Sequence, residues 1–134
     1  MKKIEMRSDC PVSYALDFFG DKWTFLIIRD IALEGKRYYK EFLGSKEGIA
    51  TNILSDRLKR LEAAEVIVSK RDEKLKTQKV YSLTQKGKDL IPTLIEIMIW
   101  SKKYNPEVAV TDDFVEKATH KREEVVAYFL GQLR

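Results

Sequence analysis

A chain of 134 residues fits one domain and can bury a modest core without disulfides or structural metals. Apolar residues make up 44% and charged residues 34%, a mixture that excludes a disordered or membrane-embedded chain, and the 25 Lys and Arg against 21 Asp and Glu leave a formal net charge of +4. That excess permits nucleic-acid binding without requiring it, so the placement of the charges must decide. No window carries about 18 uninterrupted apolar residues, and the polar start MKKIEMRSDC lacks the apolar stretch of a secretion signal, so a cytoplasmic protein without membrane association is expected. Cys10 is the only cysteine and His120 the only histidine. An intrachain disulfide, a Cys-rich zinc site, a hydrolytic triad and a multi-histidine metal centre all lack their parts, and no enzyme, cofactor or metal is expected.

In chain order, PVSYALDFF at 11–19 predicts a first helix, with Pro11 in its opening turn and Tyr14, Ala15, Phe18 and Phe19 as apolar positions. Gly20 ends it. Asp21 then caps a second helix with Trp23, Leu26, Ile27 and Ile31 on one face, where Asp30 needs a partner, and Gly35 closes it. YYKEFL at 38–43 predicts a short third helix with Tyr39, Phe42 and Leu43 on its inner side. After the linker GSKEGI, residues 50–64 form a helix with Leu54, Leu58 and Leu61 inward and Asn52, Asp56, Lys59 and Arg60 outward.

The stretches 66–71 (VIVSKR) and 78–83 (QKVYSL) predict two strands, and the polar DEKLKT between them an exposed hairpin tip. Thr84 caps a long helix running through Tyr104, which Pro92 must kink or split near 88–92 because proline removes a donor and clashes one turn back. A last helix runs from Asp112 or Asp113 to about Leu130. The fold class expected is mainly α with a small β-hairpin.

A helix pair followed by a charged hairpin has a physical use on duplex DNA: one helix enters the major groove while the hairpin reaches phosphates or the adjacent minor groove. On the helix of 50–64, Thr51, Asn52 and Ser55 offer hydrogen-bonding groups near its start. Asn52 and Ser55 are read as base-edge contacts and Lys59 and Arg60 as phosphate contacts. Two readings stand for Arg57, which lies at the edge of the inward face: it reaches DNA, or it ties helices together. The hairpin carries Lys70, Arg71, Lys74, Lys76 and Lys79 against Asp72 and Glu73, a balance suited to positioning on phosphates rather than to base reading. Each run taken alone is also what an ordinary solvated surface looks like; their adjacency carries the argument.

Four pieces in order, CPVSYALDFFGDKW, FLIIRDIALEGKRYYKEFL, GIATNILSDRLKRLEAAEVI and VYSLTQKGKDLIPTL, resemble the HxlR-type winged helix-turn-helix transcriptional regulators over residues 10–104. The resemblance implies a single winged helix-turn-helix domain over 1–134, with a family-like core at 10–104 and a C-terminal helical extension at 105–134. It implies a homodimer on a two-fold related operator of double-stranded DNA, with 50–64 as recognition helix, 70–79 within the wing of the 66–83 hairpin, and terminal helices between subunits. Asn52, Ser55, Arg57 and Lys59 match the polar and basic positions of the family's recognition helix. Ala50 stands where the family usually has Ser, which leaves Thr51 to cap the helix and shifts its start by one residue. Some similar regulators sense oxidants or electrophiles through a cysteine at the position of Cys10; the alternative is an inert small side chain.

Other residues have plainer readings beside their functional ones. Trp23, Trp100, Phe18, Phe19 and Tyr104 read as core or dimer contacts, with a pocket for an unidentified small effector as the alternative. His120, in the polar stretch THKREE, reads as a surface residue. The function expected is a sequence-specific transcriptional regulator, a repressor since a compact dimer can block polymerase. A winged-helix protein-interaction adaptor without specific DNA binding is the alternative from another class, and it would bind unrelated polyanions alike.

Overall fold

The computed structural model describes residues 7–133; residues 1–6 and Arg134, the two ends of the 1–134 domain reading, lie outside the described residues. Among the described residues, eight helices and one hairpin follow one another: α1 (Pro11–Phe19), α2 (Thr24–Ala32), α3 (Tyr39–Leu43), α4 (Thr51–Ala63), β1 (Ile67–Arg71), β2 (Lys79–Leu83), α5 (Gln85–Lys88), α6 (Ile91–Tyr104), α7 (Asp112–His120) and α8 (Arg122–Gln132). They group into two compact units, one ending at Gly87 and one beginning at Lys88.

In the first unit the predicted periodicities become a core. Ile27, Ile28 and Ile31 of α2, Phe42 of α3, Leu54, Leu58 and Leu61 of α4, and Ile67, Val80, Tyr81 and Leu83 of the hairpin are all buried. The strands pair antiparallel from Ile67 opposite Leu83 to Arg71 opposite Lys79. Asp21 acts as the sequence suggests but one turn early. Its carboxylate accepts from the backbone N–H groups of Trp23 (2.9 Å) and Thr24 (3.0 Å) and from the Thr24 hydroxyl (2.6 Å), so the helix proper starts at Thr24. Gly35, at φ +70°, turns the chain away after α2, a backbone conformation that disfavours any side chain.

Asp30 is 2% exposed and finds one partner beside it on α2 and another beyond the helix. Arg29 donates to it through Nη2 (2.7 Å) and Nε (3.0 Å), and Ser45 Oγ donates from the linker before α4 (2.6 Å). Arg29 Nη1 and Nη2 also clasp both oxygens of Glu47, at 2.7 and 3.0 Å. That clasp, opposed by some desolvation, draws the Glu47 carboxyl from 4.5 down to about 2. The linker GSKEGI is thereby bolted to α2, and the start of α4 is placed.

The end of α4 is sealed by a residue that sequence could not single out. The N–H of Val66 bonds to Leu61 O (3.0 Å) and that of Glu65 to Glu62 O (3.0 Å), a closing pattern that puts Glu65 at φ +60° where glycine is customary.

Thr84 Oγ1 accepts from Gly87 N (3.2 Å), as a helix cap should, but the helix it opens stops at Lys88. A new one starts at Ile91 with Pro92 in its first turn, where a missing donor costs nothing. The split falls in the interval that Pro92 predicts. In the second unit, α6 buries Ile91, Leu94 and Ile95, and Ala118 of α7 and Val125 of α8 are buried with them. Lys88, where this unit begins, lies within the family-like span of 10–104.

The single last helix expected over 112–130 is instead two, because Lys121 leaves helical geometry (φ −134°, ψ 49°). Arg122 stabilises the corner: its Nε donates to Ala118 O (2.8 Å) and its Nη2 to Glu96 of α6 (2.7 Å). Among the described residues no helix is long and apolar enough to cross a membrane, and no group of three or more His, Cys, Asp or Glu is disposed to hold a metal ion.

Candidate nucleic-acid interface

The outward side of α4 is built by its own spacing. Leu54, Leu58 and Leu61 take the inner face, which forces Thr51, Asn52, Asp56, Lys59 and Arg60 into solvent. Ala50 occupies the cap position in extended geometry (φ −74°, ψ 150°) without a side-chain bond, and Thr51 is the first helical residue. This corrects the expectation that Thr51 caps the helix: the Arg29–Glu47 clasp and the turn at Gly48 (φ +73°) deliver the chain one residue earlier. The side chains of Thr51, Asn52 and Lys59 make no hydrogen bond or ion pair to other described residues, and Arg60 stands only 3.9 Å from Asp56, with both side chains about half exposed.

Ser55 and Arg57 differ from these. The Tyr39 hydroxyl of α3 donates to Thr51 O (3.2 Å), and Ser55 Oγ lies 3.3 Å from the same hydroxyl. With the tyrosine proton committed to the carbonyl, Ser55 is the donor, and its hydroxyl is engaged between two helices. Arg57 donates from Nε to Asp21 Oδ1 (3.1 Å) and from Nη1 to Asp56, with its side chain 20% exposed. Burial would raise the Asp21 carboxyl, but the bonds from the Thr24 hydroxyl, the Trp23 and Thr24 N–H groups and Arg57 outweigh it and hold the group well below the usual carboxylate range. Of the two readings open for Arg57, the helix tie is the one the geometry contains.

The hairpin brings Lys70, Arg71, Lys74, Lys76 and Lys79 to the surface, all exposed, and none of them forms an ion pair with a described residue. Asp72, which sequence counts against them, is turned inward to the tip: its Oδ2 accepts from Leu75 N (2.7 Å) and Lys74 N (3.2 Å). Glu62 of α4 accepts from Ser69 Oγ of β1 through both oxygens, at 3.1 Å each, which ties the hairpin to the helix.

Helix and hairpin border one concavity of about 460 Å³, whose walls include Ser55 and Lys59 from α4, Thr77, Gln78 and Lys79 from the hairpin, and Tyr39 and Lys40 from α3. Of the expected site residues, Ser55 and Lys59 of α4 and Lys79 of the hairpin therefore share one continuous surface. Lys70, Arg71 and Lys76 line a neighbouring hollow of about 330 Å³ with Lys79. Sequence reading missed Lys40; its signal was its place opposite the inward Tyr39, Phe42 and Leu43 of α3. Cys10, at the start of α1, is an exposed free thiol. His120 is exposed and 3.4 Å from Glu116, an ordinary surface pair.

Residues 18–109 match the model of a family described as HxlR-like helix-turn-helix. A protein of Bacillus subtilis (strain 168) named as the uncharacterized HTH-type transcriptional regulator YvaP is 36% identical over 107 residues, which span 78% of this chain and 94% of that one. Among solved structures, PA1607, a candidate transcription factor, aligns with a TM-score of 0.69 and 38% identity over 78% of this chain and 73% of its own. The redox regulator HypR in its oxidized form aligns with a TM-score of 0.61 and 29% identity over 70% of this chain and 96% of its own. With the family model matched over residues 18–109 and a relative 36% identical over 78% of this chain, the chain belongs to the HxlR-like helix-turn-helix family.

Proposed function

We propose that the protein is a sequence-specific regulator of transcription that binds double-stranded DNA as a homodimer, lays α4 in the major groove and sets the β1–β2 wing on the phosphates. The observation that carries this reading is the common concavity bordered by Ser55 and Lys59 of α4 and by Lys79 of the wing, with further cations beside it. Asn52 and Thr51 are the base-edge groups. Lys59 and Arg60 with Lys70, Arg71, Lys74, Lys76 and Lys79 supply phosphate contacts, and Ser55 and Arg57 contribute by fixing α4 rather than by reaching out.

A second copy is favoured by what each unit leaves in solvent. Trp100 is 65% exposed, Tyr104 66% and Tyr128 63% in the C-terminal unit, and Val12, Tyr14 and Leu16 stand exposed on α1. Aromatic surface on this scale is costly to hydrate and suits an isologous interface. Pairing would set equivalent α4 helices about 34–36 Å apart, one turn of DNA, on a two-fold related operator, and a dimer seated there would repress by excluding polymerase from the cytoplasmic chromosome. The exposed Cys10 thiol, with a redox regulator among the structural relatives, extends the reading to control by oxidants or electrophiles.

Selection from random duplex DNA at defined salt, with wild type and with Asn52→Ala plus Lys59→Ala, tests the core of this. An enriched two-fold site that the double variant fails to enrich is the expected result. No enriched duplex refutes specific regulation, and equal binding to unrelated polyanions favours an adaptor. Cys10→Ser should abolish any thiol-dependent change in affinity; a full response in that variant removes the sensing role.

A further inference from the structure

The wing contains an acid where electrostatics alone would forbid one. Asp72 follows Lys70 and Arg71 and precedes Lys74 and Lys76, so its carboxylate should repel the phosphates those cations attract. Both of its oxygens are nevertheless in use. Oδ2 accepts from Leu75 N (2.7 Å) and Lys74 N (3.2 Å), and Oδ1 accepts from the Tyr38 hydroxyl (3.0 Å), 34 residues away in sequence. The tip closes around this carboxylate, with Asp72 N bonded to Gln78 O (2.8 Å) and Gln78 N to Leu75 O (2.8 Å). Tyr38 in turn stands at the start of α3, beside Arg37, whose carbonyl accepts from Tyr81 N of β2 (2.8 Å). The backbone of Arg37 thus fastens to the middle of β2 and the side chain of Tyr38 to the hairpin tip.

We propose that Asp72 and Tyr38 form a latch that holds the wing tip in the shape that presents Lys74 and Lys76 to the duplex backbone, making an acidic residue a positioning residue for DNA binding. The inference rests on the DNA-binding reading above. Its physical basis is that two long side chains on a loose seven-residue tip would be ordered only on binding, at an entropic cost, whereas a tip already closed in the free protein avoids most of that cost. One of the two backbone donors that Asp72 holds is that of Lys74 itself, so the carboxylate fixes the stem of a cation it would otherwise only neutralise. The group is built to stay ionised: the Leu75 N–H foremost, then Tyr38 and Lys74 against some desolvation, keep the Asp72 carboxyl below its ordinary range, while donation to that carboxylate raises the Tyr38 hydroxyl.

The test compares wild type, Asp72→Ala, Asp72→Asn and Tyr38→Phe on a mixed-sequence duplex of about 30 base pairs, roughly three turns, across a range of NaCl concentrations. Charge removal alone predicts tighter binding by Asp72→Ala. The latch predicts the opposite: affinity about three- to tenfold weaker, with a salt dependence shallower by about one to two phosphates' worth. Asparagine keeps an oxygen for the two N–H groups and can donate to the tyrosine oxygen, so Asp72→Asn should bind at least as tightly as wild type, with an unchanged slope. Tyr38→Phe should fall between.

Asp72→Ala binding as tightly as wild type, Asp72→Asn as weak as the alanine variant, or Tyr38→Phe indistinguishable from wild type would each overturn the proposal. Amide hydrogen exchange of Lys74 and Leu75 in the free proteins separates this from failure of the DNA reading. Slow exchange in wild type and Asp72→Asn but fast exchange in Asp72→Ala is expected; equally fast exchange in all three overturns the latch whether or not any duplex binds.

Discussion

The tie between Arg57 and Asp21 offers a measurement that decides on which side of α4 the arginine works. Arg57 Nε donates to Asp21 Oδ1 at 3.1 Å, with the two side chains 20% and 27% exposed. A hydrogen bond between charged groups contributes about 1.5–3 kcal/mol when sheltered; here the bond is single rather than forked and partly open to water, which reduces it to about 1–1.5 kcal/mol. The Arg57 contact with Asp56 adds little, since the Asp56 side chain is 55% exposed. Arg57→Met keeps the stem and removes the guanidinium, and Asp21→Asn keeps an acceptor for Trp23 N and Thr24 N while removing the charge. A double-mutant cycle followed by urea unfolding near neutral pH should therefore give a coupling of about 1 kcal/mol or slightly more. In parallel, the salt dependence of duplex binding by Arg57→Met should match that of wild type, because a guanidinium turned toward Asp21 releases no counterion from DNA. Coupling below about 0.3 kcal/mol, the usual error of additivity, or a salt slope shallower by about 0.9, would refute the reasoning and return Arg57 to the phosphate-binding face.

Three further outcomes follow from local geometry. A Cβ at Gly87 would meet Val66 O at 2.3 Å and Leu83 Cδ2 at 2.9 Å, so Gly87→Ala should lower stability by about 1–3 kcal/mol in urea unfolding; a neutral change would mean that this backbone shifts freely. Glu65→Gly relieves a left-handed residue at φ +60° and should raise stability by about 0.5–1 kcal/mol, with no gain counting against a native strain at the end of α4. Glu47 and Asp21 both have depressed carboxyl pKa values in the fold. Their contribution is complete above the ordinary carboxylate range and is lost as pH falls from 4.5 toward about 2 for Glu47, and lower still for Asp21. Urea midpoints followed downward through that interval should drop, and Glu47→Gln should flatten part of the drop; an identical profile in the variant would remove Glu47 as a cause.

The parts of the fold that sequence revealed are those governed by near neighbours. Leu54, Leu58 and Leu61 recur at helical spacing, so the inward face of α4, and by subtraction its outward one, could be read directly. Pro92 announced the break before α6, and the β-branched VIV followed by a polar tip announced the hairpin. What escaped depends on partners distant in the chain. That Ser55 spends its hydroxyl on Tyr39, 16 residues earlier, and that Arg57 turns back to Asp21, 36 residues earlier, follow from tertiary packing alone. Asp30 advertised its need for a partner without naming Ser45. The corner at Lys121 had no glycine or proline to mark it, and it is held by the reach of Arg122 to Ala118 O, an interaction no periodicity encodes.

The shared hydroxyl of Tyr39 has a consequence for how such a protein could acquire a new target. Because it engages both Thr51 O and Ser55, α4 cannot roll about its own axis without breaking its link to α3. On the proposed DNA-binding reading, side-chain exchanges at positions 51 and 52 would leave that phase untouched and alter preference at single base steps. On the same reading, a bulkier residue at 55 would instead turn the helix's whole outward edge, shift several base preferences together, and call for a compensating change at 39.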